Sequence, residues 1–218
     1  MESKWFAFAI VPAALAASSS ASAFGLDDIE YWFGSGSNRA GFVVQWSMTD
    51  SSPRALAWGV RFDGTLNGQT AFERVVQGDA RLYALTQQFS FGLAILGIGY
   101  DLDGGGVSGT GFTVTQPLPG GADTAFANDP NDRWKSGWNT GFWSLQNASG
   151  ATPQTWSSSP VGISALNLAD SDWIGLAFAP NFASQTIDGI EAAPVPEPTT
   201  LAAVAVGLGL MLRRRRKA

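Results

Sequence analysis

A mainly β domain, built as an antiparallel sheet or sandwich with one amphipathic α-helix, is the fold class that this 218-residue chain predicts, with a short transmembrane helix behind it. Three observations lead there. Residues 24–190 hold 24 of the 26 glycines, about twice the usual share, together with eight of the nine tryptophans. Apolar or alternating runs in that segment are short and bounded by turn residues. Behind it comes an uncharged apolar stretch, Thr199 to Leu212, closed by a run of basic residues.

Taken in order, Ala40–Trp46 (AGFVVQW) and Ala55–Phe62 (ALAWGVRF) predict two strands, with Asp50-Ser51-Ser52-Pro53 as the turn between them. Asp63-Gly64 ends the second strand with a turn signal. Thr70 to Thr86 places Phe72, Val75, Val76, Leu82, Tyr83 and Leu85 near 3–4 spacing, which predicts an amphipathic helix bent at Gly78. Phe89–Tyr100, Gly111–Thr115, Gly141–Gln146 and Trp173–Phe178 predict later strands. No fixed-period repeat interrupts this order.

Composition excludes several functions. With no cysteine there is no disulfide, thiolate zinc site, iron–sulfur cluster or thiol nucleophile. With no histidine the Ser–His–Asp triad and the commonest general base are gone. Residues 24–190 carry seven cations against fifteen acids, a net charge of −8, which disfavours nucleic acid as a partner. Such a surface suits an exported domain that must not stick to anionic membranes or polysaccharide.

The two ends carry addresses. Residues 1–23 predict a signal peptide: Lys4 is a short basic start (weakened by Glu2), Trp5–Ala17 is apolar, and Ala21-Ser22-Ala23 is an A-x-A cleavage site for signal peptidase. At the other end, residues 191–218 form a tail in three parts. Val195-Pro196-Glu197-Pro198 is stiff and extended, because each proline fixes φ and turns the preceding residue away from helix. Residues 199–212 are apolar, and Arg213, Arg214, Arg215, Arg216 and Lys217 stay cytoplasmic by the positive-inside rule. Fourteen residues make a helix of about 21 Å, short of the ~30 Å hydrocarbon core, so the arginines must snorkel or the bilayer thin locally.

This order of VPEP, apolar helix and arginine cluster resembles the PEP-CTERM sorting signal. The resemblance covers about the last 24 residues. It implies that exosortase, a membrane-embedded cysteine protease of Gram-negative bacteria, recognises the tail. The chain would be held in the inner membrane until it is cut at or near Pro196–Pro198, and the ectodomain then released or attached at the cell surface. It also implies an association with exopolysaccharide and biofilm.

Between the addresses, three constellations could carry chemistry. Asp101 and Asp103, two apart before Gly104-Gly105-Gly106, could converge on Ca²⁺. A hairpin turn with solvated acids explains them equally, and Gly105 and Phe112 stand where an EF-hand loop needs ligands. Asn128 to Asp132 is a second acidic turn. The richest group is aromatic: Trp134, Trp138, Trp143 and Trp156, with Phe142, Asn139, Gln146 and Asn147 among them. Such rings stack on sugars or flat cofactors, and they also fill β cores. The W-x₃-W-x₄-W stretch, with the helix before it and Asp170-Ser171-Asp172-Trp173 after it, is similar to small β-rich domains of the transcobalamin C-terminal type, which implies flat-ligand binding.

The sequence therefore predicts a non-enzymatic surface or biofilm-matrix protein, with no catalytic residues and no obligatory cofactor. A ligand-binding module for a glycan or flat cofactor is the alternative. A carboxylate-dependent hydrolase is third, because no G-x-S-x-G elbow, phosphate loop or H-E-x-x-H motif is present.

Overall fold

The computed structural model describes residues 23–49, 53–102, 112–113, 126–127, 129 and 131–196. These are mainly β with a single α-helix, as the composition predicts. Of the termini, Ala21, Glu197, Pro198 and Arg213–Arg216 lie outside the described residues, as does Asp103. Among the described residues no helix is long and apolar enough to cross a membrane, and residues 199–212 are not among them.

After a single 3-10 turn at Leu26–Asp28, the chain forms β1 (Trp32–Gly34), β2 (Asn38–Gln45) and β3 (Ala55–Phe62). β4 (Leu66–Asn67) leads into α1 (Gly68–Gly78), followed by β5 (Leu82–Phe89) and β6 (Gly92–Tyr100). Short strands β7 (Phe112–Thr113) and β8 (Phe126–Ala127) pair with each other. Then come β9 (Arg133–Ser136), β10 (Gly141–Ser149), β11 (Ser157–Ser158), β12 (Asn167–Leu168), β13 (Asp172–Pro180) and β14 (Ile190–Ala192). A seven-stranded sheet runs β1-β3-β2-β13-β10-β11, with β14 beside β1 on the same edge of β3. A three-stranded sheet, β5-β6-β9, stands apart from it.

The large sheet is mixed rather than purely antiparallel. β2 and β3 form the expected hairpin, but β13 runs parallel to β2, and both β1 and β14 run parallel to β3. Parallel neighbours need a long crossover, and here it is supplied by the helix, the small sheet and β10, all of which lie between β2 and β13 in the chain. Local runs of apolar residues carry no information on such distant partners.

The helix also differs from expectation. It begins at Gly68, capped by the Asn67 side chain, which accepts from the Gln69 and Thr70 amides at 3.0 and 3.4 Å. Instead of bending at Gly78 and running on to Thr86, it stops there, and Leu82 opens β5. Two contacts end it. The Phe33 ring packs so closely on Gly78 that a Cβ would stand 2.3 Å from it. The Asp79 side chain accepts the Arg81 amide at 3.1 Å, a local turn bond that competes with the next helical turn.

Strand alternation divides the large sheet into two unlike faces. Phe42, Val44, Trp46, Trp58, Val60, Ile174, Leu176 and Phe178 face the helix and the small sheet, which add Phe72, Val75, Leu82, Ile98 and Tyr100 to one core. The other face is built of Val43, Ala55, Ala57, Ala148 and Ala177, and is covered by Leu26, Ile29 and Ile187. Small residues there let indoles lie flat on the sheet. Trp173 sits over its cross-strand partner Gly41, and Trp32 over Gly59. A Cβ at those glycines would stand 2.0 and 2.2 Å from ring atoms, closer than atoms can approach.

Gly41→Ala or Gly59→Ala should therefore lower stability by about 1–3 kcal/mol, read as a lower urea midpoint with an unchanged m-value. Gly162→Ala, where an added Cβ meets nothing within 4 Å, is the control and should stay within about 0.5 kcal/mol. Equal effects at the three sites would contradict this packing.

Candidate functional site

Between β6, the start of β10 and the turn at Gly162–Ile163 lies an open cleft of about 350 Å³. Leu93–Leu96 of β6 form one wall, and Trp143, Leu145 and Leu176 of the large sheet form another. Trp138, Phe142 and Phe182 complete it. Alternation in β10 turns Trp143 and Leu145 toward the small sheet, opposite Phe178 and Leu176. Trp143 is 7% exposed and meets Phe178 edge-on at 5.5 Å. Its Nε1 is buried and has no hydrogen-bond partner among the described residues.

The rest of the aromatic surface is open. Trp138 is 41% exposed and stacks on Phe89 at 6.3 Å, and Phe89 in turn stacks on the exposed Phe91 at 5.1 Å. Phe142 and Phe182 stack at 6.2 Å, with Phe182 58% exposed. Phe182 is held there by an unusual backbone. Asn181 and Phe182 have φ of 52° and 60°, in a turn closed by the Ala183 amide donating to the Pro180 carbonyl at 3.1 Å. Two successive residues at positive φ are the pattern of type I′ turns, whose second place is normally glycine. A phenylalanine there is strained.

The four tryptophans singled out above do not form one constellation. Trp138 and Trp143 share the cleft. Trp134, on β9, is half-buried with its ring against Gly97 and does not line it. Trp156 lies on the other face of the large sheet, edge-on to Trp173 at 6.3 Å, and borders a separate groove of about 700 Å³ with residues 153–155 and 186–190. Asn139, Gln146 and Asn147 are not at the cleft; Gln146 donates instead to the Gln185 carbonyl. Phe182 escaped the sequence reading, although Asn181 directly after an apolar strand was its one available signal. Of the calcium pair, Asp101 is buried beside Tyr83 and Asp103 lies outside the described residues; Asp132, from the second acidic turn, accepts the Leu102 amide at 3.1 Å. Among the described residues no three acids are grouped to hold a metal.

A second polar centre lies inside the fold. Asp79 is fully buried and takes the Trp58 indole at 3.0 Å, the Arg81 amide at 3.1 Å, and the Arg81 guanidinium at 3.0 and 3.1 Å. The guanidinium stands 5.2 Å over the Tyr100 ring and donates to the Pro194 carbonyl. The Ala193 amide bonds the Ala57 carbonyl at 2.8 Å beside it. Burial pushes the Tyr100 hydroxyl well above the usual phenol range, and the Asp79 charge adds to the rise. Tyr31 is raised by burial and by Asp79, and Tyr83 by burial and by Asp101 and Asp132. Every member of the Asp79 group has its place in packing, so the group holds the fold together and opens to no cavity described above.

A search of family models, of curated proteins and of solved structures finds no match for this chain. The cleft defines a class by its own chemistry. Among the described residues its lining side chains are aliphatic or aromatic, their only polar atoms are indole N–H groups, and none of them is a nucleophile or a general acid near neutral pH.

Asp79→Ala should strip Arg81 of its buried partner and cost about 3–5 kcal/mol, read by urea unfolding. The three tyrosines, all raised, give a second expectation. Near pH ~10 the unfolded chain gives up phenolic protons that the folded chain keeps. The folded state then binds more protons, so stability falls as pH rises through and above ~10, and is indifferent to these groups at neutral pH. Phenolate absorbance should rise later in the native protein than in urea; coincident curves would contradict it.

Proposed function

We propose that the chain is an exported surface or biofilm-matrix protein, non-enzymatic, held in the inner membrane by its tail until exosortase cuts at or near Pro196–Pro198. The observation that carries this reading is the contrast between Ala193–Pro194, held by the domain, and the exposed residues Val195 and Pro196. β14 pairs with β3, Ala193 is buried, and Arg81 holds the Pro194 carbonyl. The next two residues, Val195 and Pro196, are exposed. A protease must take its substrate in extended form, and the VPEP stretch begins at the first residue free of the domain. At the other end, signal peptidase cutting after Ala23 would leave Phe24 as the first residue, packed edge-on to Trp173 at 6.4 Å. Its acidic surface suits life beside exopolysaccharide without non-specific adhesion. A second reading, a ligand-binding module, is favoured by the cleft, where Trp138, Phe142 and Phe182 stay exposed although burying them would have stabilised the domain.

Pulse-labelled cells should show two losses of mass, one at Ala23 and one near Pro196–Pro198. Replacing Arg213–Arg216 with glutamine should abolish the second loss and spare the first. A full-length chain lying soluble in the cytoplasm would overturn the proposal.

A further inference from the structure

The groove on the other face of the large sheet differs in chemistry from the apolar cleft. Its volume of about 700 Å³ lies within the ~300–1,000 Å³ of small-molecule sites. Trp156 and Ile187 give it an apolar side, and Gln154, Thr155, Thr186 and Asp188 a polar one. The segment that carries Thr186 and Asp188, between β13 and β14, has neither helix nor strand, and buried glutamines hold it in place. Gln45, 1% exposed at the end of β2, donates to the Thr186 carbonyl at 3.1 Å and accepts the Asp188 amide at 2.8 Å. Gln146 of β10, also buried, donates to the Gln185 carbonyl. Two buried amides committed to one loop fix its shape, and loops fixed by a rigid sheet are where binding side chains are most often carried. The Asp188 side chain is 44% exposed and makes no hydrogen bond among the described residues. Arg54, the cation it pairs with, stands 3.8 Å off, beyond hydrogen-bond reach. Trp156 is only half-buried, meeting Trp173 edge-on at 6.3 Å.

These side chains select among ligands. One carboxylate is too few for a hard cation, which takes six to eight oxygens, and it repels an anion. A wholly apolar molecule would strip water from four polar side chains without replacing it. Two hydroxyls and an amide beside one strong acceptor suit a ligand with several hydroxyl groups, and an indole beside them suits its C–H face. We propose that the groove formed by Gln154, Thr155, Trp156, Thr186 and Asp188 binds a neutral saccharide, with Trp156 against the C–H face of a sugar ring and Asp188 accepting from its hydroxyls. This rests on the ligand-binding reading, narrows its ligand class to a glycan, and places the site on the face of the sheet away from the cleft.

Cellotetraose, maltotetraose, mannotetraose and chitotetraose are the probes, each titrated into the full chain with the indole N–H signals followed by NMR; Trp156→Phe assigns the one that matters. At least one should saturate the site and shift the Trp156 signal while Trp138 stays still. Trp156→Ala should weaken that binding at least about tenfold, and Asp188→Asn about fivefold to tenfold. Thr155 and Thr186 are exposed, so Thr155→Ala and Thr186→Ala should leave the urea midpoint in place while each weakens binding about twofold to fivefold. Trp138→Ala, in the cleft, should change nothing. Binding untouched by Trp156→Ala and Asp188→Asn overturns the proposal, as does a Trp156 signal that answers tetramethylammonium and none of the sugars. A saccharide that shifts Trp138 and leaves Trp156 still would sink this site and keep the ligand-binding reading. No response to any probe from an intact fold would sink both.

Discussion

One buried carboxylate joins most of the molecule. Asp79 ends the helix, receives the indole of Trp58 from the large sheet, and fixes Arg81 at the start of the small sheet. Arg81 then lies over Tyr100 of β6 and holds the Pro194 carbonyl. A charge buried without partners would cost several kcal/mol, and here four hydrogen bonds meet it. The geometry is specific in a way that apolar packing is not. It ties the large sheet at Trp58 to the small sheet at Arg81 and Tyr100.

The large sheet solves a different problem. Buried on both faces, it uses large side chains toward the helix and small ones toward the N-terminal segment. The small face would be loosely packed by its own alanines and glycines. Indole rings from Trp32, Trp156 and Trp173 lie across it and fill the space that absent Cβ atoms leave. At these three tryptophans ring and glycine belong together, since each ring needs a flat bed. Arg61 completes the arrangement by standing 4.9 Å over Trp32.

The cleft departs from this economy. Phe91, Trp138, Phe142 and Phe182 stay exposed in a domain that uses aromatics elsewhere as core. Phe182 does so on a backbone that costs energy. The aromatic stretch around Trp134–Trp156 that looks like one group in the sequence serves three ends: Trp134 covers Gly97, Trp156 beds on the far face, and only Trp138 and Trp143 meet. Phe182, some forty residues beyond Trp143 in the chain, joins them through the turn after β13.

The hairpin of β2 and β3 and the predominance of strands were legible along the chain. Each depends on neighbours within a few residues, where alternation and turn propensity act directly. The addresses proposed for the two ends rest on the same kind of local signal, since charge and hydrophobicity in a row need no partner. The stop of the helix at Gly78, the parallel placing of β13 on β2, the two unlike faces and the shape of the cleft were decided only in three dimensions. Those features depend on which ring lands on which glycine and which donor reaches Asp79, contacts between residues tens of positions apart that local periodicity does not encode.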